Sequence, residues 1–192
     1  ARKDEYALKT PTFKSPISAE EGDCNPFFFN DLTIVFASRR PGGYGGLDLW
    51  WTVWADSSWA APVNFGPAVN SAYDEDMPFL AKDGTTLYFS SNRTEGIGGM
   101  DVYKTLFDAQ KREWQVPANL GLPINSPGDD TYFRLASDGL TAFIASDRLG
   151  GMGQRDLYIA YFKDVQAEQN ASPLAALFTQ AEVQTLAPTE TE

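Results

Sequence analysis

The side chains that could do chemistry in this chain are carboxylates and arginines, because its 192 residues include no histidine and only one cysteine, Cys24. Triads that use an imidazole base and metal sites built on imidazole are therefore excluded within this sequence. The carboxylates that stand out form two acidic pairs at the same offset after a serine. These pairs are Asp74 with Glu75 and Asp129 with Asp130.

Three arginines recur in the same way, each eight residues before an aspartate. They are Arg40 before Asp48, Arg93 before Asp101 and Arg148 before Asp156. The segments around them read ASRRPGGYGGLDLW, SSNRTEGIGGMDVY and ASDRLGGMGQRDLY, and in each a glycine-rich loop leads into an apolar stretch. A phosphate-cradling loop would lead into a helix, so we expect these glycines instead to adopt positive φ angles in tight loops.

The elements that position these residues form a sequence repeat of roughly 54 residues. A second block recurs between the loops, as PVNFGPAVNS from Pro62 and PANLGLPINS from Pro117. Asp-Gly turns at 83–84 and 138–139 separate two apolar stretches in the second and third copies, and Asn30 and Asp31 replace the turn in the first. Such short apolar runs between turn residues predict four strands per repeat. We therefore predict an all-β chain of three four-stranded repeats, like β-propeller blades.

The pattern resembles the WD-repeat-like propellers of TolB-type bacterial proteins over about residues 17–162. The resemblance is based on the Asp-Gly turn, the Ser-x-Arg segment, the glycine-rich loop and the Asp-Leu-Tyr sequence, or its variants, that follows the loop. It implies a propeller that acts as a protein-interaction platform, often beside peptidoglycan-associating or helical-repeat domains. It also implies an extracytoplasmic location, either periplasmic or associated with the outer membrane.

The repeats predict the domain organisation. We expect propeller repeats over 1–164, with blades at about 19–72, 73–127 and 128–164, and with 5–18 as a stray outer strand that completes the last blade. Propellers have about four to eight blades, so three blades predict either part of a longer propeller or half of a ring that a homodimer closes. Residues 165–192 are expected to be a linker or tail, with a short helix over 173–183 or disorder.

Alternate connections of a four-stranded meander lie at the same end, so the acidic pairs and the arginine loops should share one rim. One interpretation is an acidic collar that binds a basic partner segment or a cation. The other, which we favour because both charge types repeat, is a set of braces between blades. Trp51 aligns with Lys104 and Ile159, so it could be exposed to anchor a protein or stack on a sugar, or it could pack under the N-terminal segment. The candidate partner-binding residues are Asp74, Glu75, Asp129, Asp130, Arg40, Arg93, Arg148 and Trp51.

Charge and composition limit the function. A net charge of −11 disfavours nucleic acid and anionic membranes as partners, and no apolar run is long enough to predict direct membrane insertion. The carboxylates follow the repeat and form no Asp-x-Asp-x-Asp ladder, so we predict no catalytic residue, metal site or cofactor. We expect a non-catalytic protein-binding scaffold, a subunit or domain of a bacterial envelope-associated assembly. The alternative is a carbohydrate-binding or enzyme-associated propeller module.

Overall fold

A computed structural model describes residues 22–162 and the backbone of residues 182–185. Within these ranges the chain forms strands, turns and loops without a helix, and all strand pairs are antiparallel. The prediction of an all-β chain is confirmed. The same part of the chain accordingly offers no helix that could cross a membrane.

The strands form three sheets that repeat one plan. Sheet 1 contains β1 (Asp23–Asn30), β2 (Thr33–Ser38), β3 (Asp48–Ala55), β4 (Ser58–Trp59) and β5 (Val63–Asn64). Sheet 2 contains β6 (Glu75–Leu80), β7 (Thr86–Ser91), β8 (Asp101–Asp108), β9 (Glu113–Trp114) and β10 (Ala118–Asn119). Sheet 3 contains β11 (Asp130–Leu135), β12 (Thr141–Ser146), β13 (Asp156–Tyr161) and β14 (Glu182–Thr185).

The observed fourth strand of the repeat differs from the prediction in sheets 1 and 2. It is split into two pieces of two residues, which both pair with the third strand, as β4 and β5 do with β3. Proline explains the short second piece, because Pro62 and Pro117 directly precede β5 and β10 and have no N–H to donate to a ladder. The outer edge of these two sheets is therefore held by few backbone hydrogen bonds.

The turn between the first two strands forms as the sequence predicts. Gly84 and Gly139 adopt φ angles of 67° and 72°, a region that favours glycine. Asp83 accepts hydrogen bonds at 2.8 Å from the backbone N–H groups of Thr85 and Thr86. Partial burial opposes ionisation, but hydrogen bonds from Thr86 and Thr85 outweigh it and lower the pKa of Asp83.

A β-bulge at the same position of each first strand brings the three sheets together. The bulge residues Asn25, Met77 and Tyr132 have positive φ angles of 48°, 53° and 53°, and the strand register shifts there. Two residues further on, the rings of Phe27 and Phe79 meet at 5.1 Å. The guanidinium of Arg134, at the equivalent position in sheet 3, lies 5.5 and 5.7 Å from these two rings. The side chain of Tyr132 also donates a hydrogen bond of 3.2 Å to Asn25.

The core lies between consecutive sheets. One apolar cluster joins sheets 1 and 2 and includes Val35, Leu49, Leu87 and Phe89. A second cluster joins sheets 2 and 3, and its members are Tyr88, Val102, Leu120, Ile124, Phe133, Ala142, Ile144 and Ala160. Alternate residues of β7 thus point to opposite neighbours, which is why all six are buried. A third cluster of Ile34, Phe36 and Trp50 lies on the other face of sheet 1.

Two predictions concern the chain termini. The segment 5–18, expected as an outer strand, lies outside the described residues, and the edge position beside β13 is taken by β14. The helix expected over 173–183 also falls largely outside them, but its last two positions, Glu182 and Val183, belong to β14. The part of this helix that is described is therefore a strand, and the prediction is wrong there.

Candidate functional site

The candidate site is the loop rim, which we define as the loops 39–47, 92–100 and 147–155 together with the links 65–74 and 120–129 between sheets. Backbone hydrogen bonds join each of the first two loops to the link that follows. The N–H of Gly46 donates to the carbonyl of Tyr73 at 3.1 Å, and the N–H of Gly99 donates to the carbonyl of Gly128 at 3.2 Å. The acidic pairs and the arginine loops therefore lie side by side.

The aspartate that ends each loop holds the loop in shape. Asp48 accepts hydrogen bonds from the backbone N–H of Tyr44 at 2.7 Å and from the side-chain amide of Asn64 at 2.8 Å. Asp101 accepts the two equivalent bonds, from the backbone N–H of Ile97 and from the side-chain amide of Asn119. Asp156 accepts the equivalent backbone bond, from the N–H of Met152. The sequence predicted no role for these aspartates, although their strict spacing from the arginines was a signal of one.

The second member of each acidic pair is a buried brace. Glu75 and Asp130 are both 0% exposed. Arg93 pairs with Glu75 at 2.8 Å, and Arg148 pairs with Asp130 at 2.7 Å. Each arginine also donates to the backbone of the preceding link, as Arg93 does to the carbonyl of Val69 at 2.8 Å. These charges fix the loop against the link and are not presented to solvent.

Arg40 in the first repeat also has an acidic partner, equivalent to Glu75 and Asp130, that the sequence analysis did not identify. Asp23, the first residue of β1, lies opposite Ser38, just as Glu75 lies opposite Ser91. Its carboxylate pairs with Arg40 at 2.6 Å. The signal in the sequence was an acidic residue at the start of each first strand, which aligns in the first repeat only when its shorter turn at Asn30 and Asp31 is allowed for.

Each of these arginines also covers an aromatic ring of the third strand. The guanidinium of Arg40 lies 5.3 Å from the ring of Trp50, that of Arg93 lies 4.8 Å from Tyr103, and that of Arg148 lies 4.7 Å from Tyr158. Cation–π contact of this kind adds to the ion pair in holding the arginine in place. The Nε1 atom of Trp50 and the hydroxyl of Tyr103 beneath are buried and have no hydrogen-bond partner among the described residues.

The first member of each acidic pair links two sheets. Asp74 accepts a hydrogen bond of 2.6 Å from the N–H of Leu47, and Asp129 accepts one of 2.9 Å from the N–H of Met100. Both donors belong to the loop of the preceding sheet. Asp74 also pairs with Arg39 at 3.3 Å, and Asp129 pairs with Arg155 at 3.1 Å. These two carboxylates remain partly exposed, so they contribute negative charge to the surface of the loop rim as well as bracing it.

The glycines of the loops are needed for close approach. The prediction of positive φ angles is wrong for the loop glycines Gly43, Gly45, Gly46, Gly96, Gly98, Gly99, Gly151 and Gly153, and positive φ occurs instead at Gly42 and Gly150. A Cβ atom at Gly45 would collide with the carbonyl oxygen of Ser71, and one at Gly98 with that of Gly128. The loop thus packs directly onto the backbone of the link.

The tips of the loops present apolar side chains to solvent, which the sequence analysis did not predict. Tyr44, Ile97 and Met152 occupy the same position of the three repeats and are 50%, 43% and 77% exposed. Leu149 in the third loop and Tyr73 in the first link are also exposed. The signal was present in the sequence as the Gly-apolar-Gly triplet of each copy.

Trp51 is half-buried and packs between sheets 1 and 2. It lines a depression of about 110 Å³ with Val35, Phe65, Leu80 and Trp114, and it is packed against the core cluster that these sheets share. Its ring is therefore part of an intersheet contact and lies apart from the loop tips.

The described residues include no group of three or more His, Cys, Asp or Glu side chains that could hold a metal ion. Cys24 is half-buried, and burial, together with the nearby Asp76 carboxylate, raises the pKa of its thiol to about 11. The reactive thiolate is thus disfavoured at neutral pH.

No protein-family model matches this chain, and no curated protein matches it significantly.

Proposed function

We propose that the three sheets are blades of a β-propeller and that the chain is a non-catalytic scaffold that binds another protein through the loop rim. The observation that carries the proposal is the set of apolar tips Tyr44, Ile97 and Met152, which stand exposed at one position of all three repeats. Exposed apolar groups gathered at one end of a molecule are typical of protein-binding surfaces.

The rigidity of the loops supports this use. The backbone N–H of each tip is bonded to the aspartate that ends the loop, and the loop is packed on the next link without room for a Cβ atom at Gly45 or Gly98. A partner would therefore lose little free energy in ordering these loops, since preorganised surfaces avoid that cost.

Charge supports a partner with basic as well as apolar side chains. The chain carries a net charge of −11, and Asp74 and Asp129 remain partly exposed at the rim. Such a surface steers a basic partner toward itself and speeds association at low ionic strength. We therefore propose association that weakens as salt is added.

The propeller arrangement is supported by the way the sheets pack. The position of Val35 and Leu49 in sheet 1 corresponds to that of Tyr88 and Val102 in sheet 2, and both pairs are buried against the following sheet. A chain that repeats one intersheet contact extends around an axis, as propeller blades do. The proposed location in the bacterial cell envelope rests on the resemblance to TolB-type repeats.

The test is capture of partners from an envelope fraction of the source bacterium, quantified by mass spectrometry. A variant with Tyr44→Ser, Ile97→Ser and Met152→Ser should lose the proteins that the unchanged chain captures. The matched control is Phe28→Ser with Leu32→Ser, which removes exposed apolar side chains of sheet 1 away from the loop rim. Equal capture by the rim variant and the unchanged chain would refute the proposal.

A further inference from the structure

A polar cavity of about 340 Å³ lies between the link 65–74 and the outer edge of sheet 2 at β10. We call it the edge cavity. The link, the loop 92–100 and strands β8 and β10 all contribute to its wall. Its volume lies within the range of small-molecule sites in proteins, near the lower end. The wall includes the side chains of Tyr73, Arg93, Glu95, Tyr103 and Val116.

Two of these side chains do not follow the sequence repeat. Tyr73 stands where the second link has Gly128. Glu95 stands where the other two loops have Gly42 and Gly150. The braces of the loop rim recur in all three copies, as the pairs of arginine and carboxylate do, so bracing does not require either residue. That both meet at one cavity indicates a task that only this repeat carries.

The polar groups of the edge cavity have hydrogen-bonding capacity that the fold does not use. The Glu95 side chain is exposed and forms no ion pair with any described residue. The hydroxyl of Tyr103 is buried in the wall and has no hydrogen-bond partner in that part of the chain. The side-chain hydrogen bonds that Arg93 makes there use its Nε and Nη2 atoms, which leaves Nη1 to donate to a ligand.

This mixture of groups favours a ligand that is uncharged and carries several hydroxyls. The charge of Arg93 is already offset by Glu75 at 2.8 Å, so an anion would find no free positive charge, and the net charge of −11 would repel it. A cation at Glu95 would in turn approach Arg93. A hydroxyl both donates and accepts, so neighbouring hydroxyls can donate to Glu95 and accept from Arg93. A further hydroxyl would supply the partner that Tyr103 lacks.

The mouth of the edge cavity is apolar. Tyr73 is 38% exposed and Val116 is 84% exposed. Val116 is also larger than its equivalent in the first copy, Ala61. A sugar ring has one face of C–H groups, and contact of that face with these side chains would remove apolar surface from water. The cavity therefore offers a polar side and an apolar side, as a sugar ring does.

We propose that the edge cavity binds an uncharged sugar ring, either a free saccharide or one unit of a glycan. Glu95 and Arg93 would bind its hydroxyls, and Tyr73 would cover its apolar face. Trp51, which the sequence offered for stacking on a sugar, lies in an intersheet contact and has no part in this site. The proposal does not depend on the binding of a protein through the apolar tips of the loop rim.

A glycan array that carries neutral, sialylated and sulfated glycans tests the proposal. The full chain is displayed in many copies on fluorescent beads, because multivalent display makes weak contacts measurable. We expect the beads to bind neutral glycans and not the acidic ones. Glu95→Gln and Tyr73→Ala should each lower the signal at least tenfold. The matched controls Glu113→Gln and Tyr44→Ala change exposed residues of the same types outside the edge cavity and should leave it unchanged.

An array on which no neutral glycan is bound would overturn the proposal, as would unchanged signals with both cavity variants. Circular dichroism establishes that the variants are folded, and Glu95→Gln alone decides if Tyr73→Ala is not. The signal should be equal at about 50 and 500 mM NaCl, since an uncharged ligand is not subject to screening, and a steep fall with salt would contradict a neutral ligand. The variant Tyr44→Ser, Ile97→Ser, Met152→Ser should still bind glycans while it loses partner capture, so the two proposals can fail separately.

Discussion

Replacing Glu75 with Gln is the sharpest test of whether the buried acids are braces. The Glu75 carboxylate accepts four hydrogen bonds, and each of its two oxygens faces at least one donor. The donors are the N–H and hydroxyl of Ser71, the hydroxyl of Ser91 and the guanidinium of Arg93. The amide of Gln has the same shape, but its NH2 group would face a donor. Arg93, only 12% exposed in its side chain, would also lose its carboxylate partner and keep a nearly buried positive charge.

The magnitude follows from this geometry. Removing one partner of a buried ion pair costs about 3–5 kcal/mol, because the other charge stays buried and unpaired. For a domain of this size about 1 kcal/mol shifts the unfolding midpoint by roughly 2–4 °C. We therefore expect Glu75→Gln to lower the midpoint by about 6–20 °C and to remove a large part of the roughly 5–15 kcal/mol that stabilises a typical domain.

The assay is urea unfolding followed by tryptophan fluorescence, combined with calorimetry. Asp74→Asn is the matched control, since this carboxylate belongs to the same acidic pair but is partly exposed, and its ion pair with Arg39 is a surface one worth about 1 kcal/mol or less. A loss of less than about 1 kcal/mol in Glu75→Gln would refute the brace. Glu75 would then be free to serve another role at the loop rim.

Three further predictions concern stability. Tyr103→Phe should leave the free energy of unfolding unchanged or raise it by up to about 1–3 kcal/mol, because it removes a buried hydroxyl that has no hydrogen-bond partner within the described part of the chain. A clear loss in urea unfolding would show that the hydroxyl has a partner. Gly98→Ala should lower the free energy of unfolding by more than the roughly 1 kcal/mol that separates Gly from Ala in backbone preference, because the new Cβ would displace the carbonyl of Gly128. A urea midpoint equal to that of the unchanged chain would contradict the close approach. The hydrogen bonds that lower the pKa of Asp83 stabilise the fold above the usual carboxyl pKa of 3.8, and this stabilisation is lost as the pH falls through the lowered value. The difference in unfolding free energy between the unchanged chain and Asp83→Asn should therefore be present at pH 7 and shrink below pH 3.8, and a difference independent of pH would refute it.

Several features could be predicted because they depend on residues close together in the chain. The Asp-Gly turns at 83–84 and 138–139 follow from the φ angles that glycine allows and from the short aspartate side chain. The first three strands of each repeat follow from short apolar runs, and the shared rim follows from the order of the strands in the repeat. The pairing of arginines with acids was also expected from their common repetition, and it is found in Arg93 with Glu75 and in Arg148 with Asp130. The expectation that these pairs join neighbouring blades is wrong, because each pair lies within one sheet.

Other features depended on contacts between sheets and could not be predicted. The equivalence of Asp23 was hidden because the turn at Asn30 and Asp31 is one residue shorter than the Asp-Gly turns, which changes the spacing from Asp23 to Ser38. The role of Gly98 depends on how near the link at Gly128 comes, and no local pattern measures that distance. The burial of Trp51 likewise depends on Trp114, which belongs to the next sheet.

The sequence by itself determined the strands, the turns and the threefold repetition, because each depends on conformational preferences of neighbouring residues. Only the tertiary structure decided which repeated positions are covered. Leu49, Val102 and Leu157 hold the same place in three copies, yet two are buried and the third is exposed. The physical reason is that burial requires a neighbouring sheet, and the identity of that neighbour is not encoded in the repeat itself.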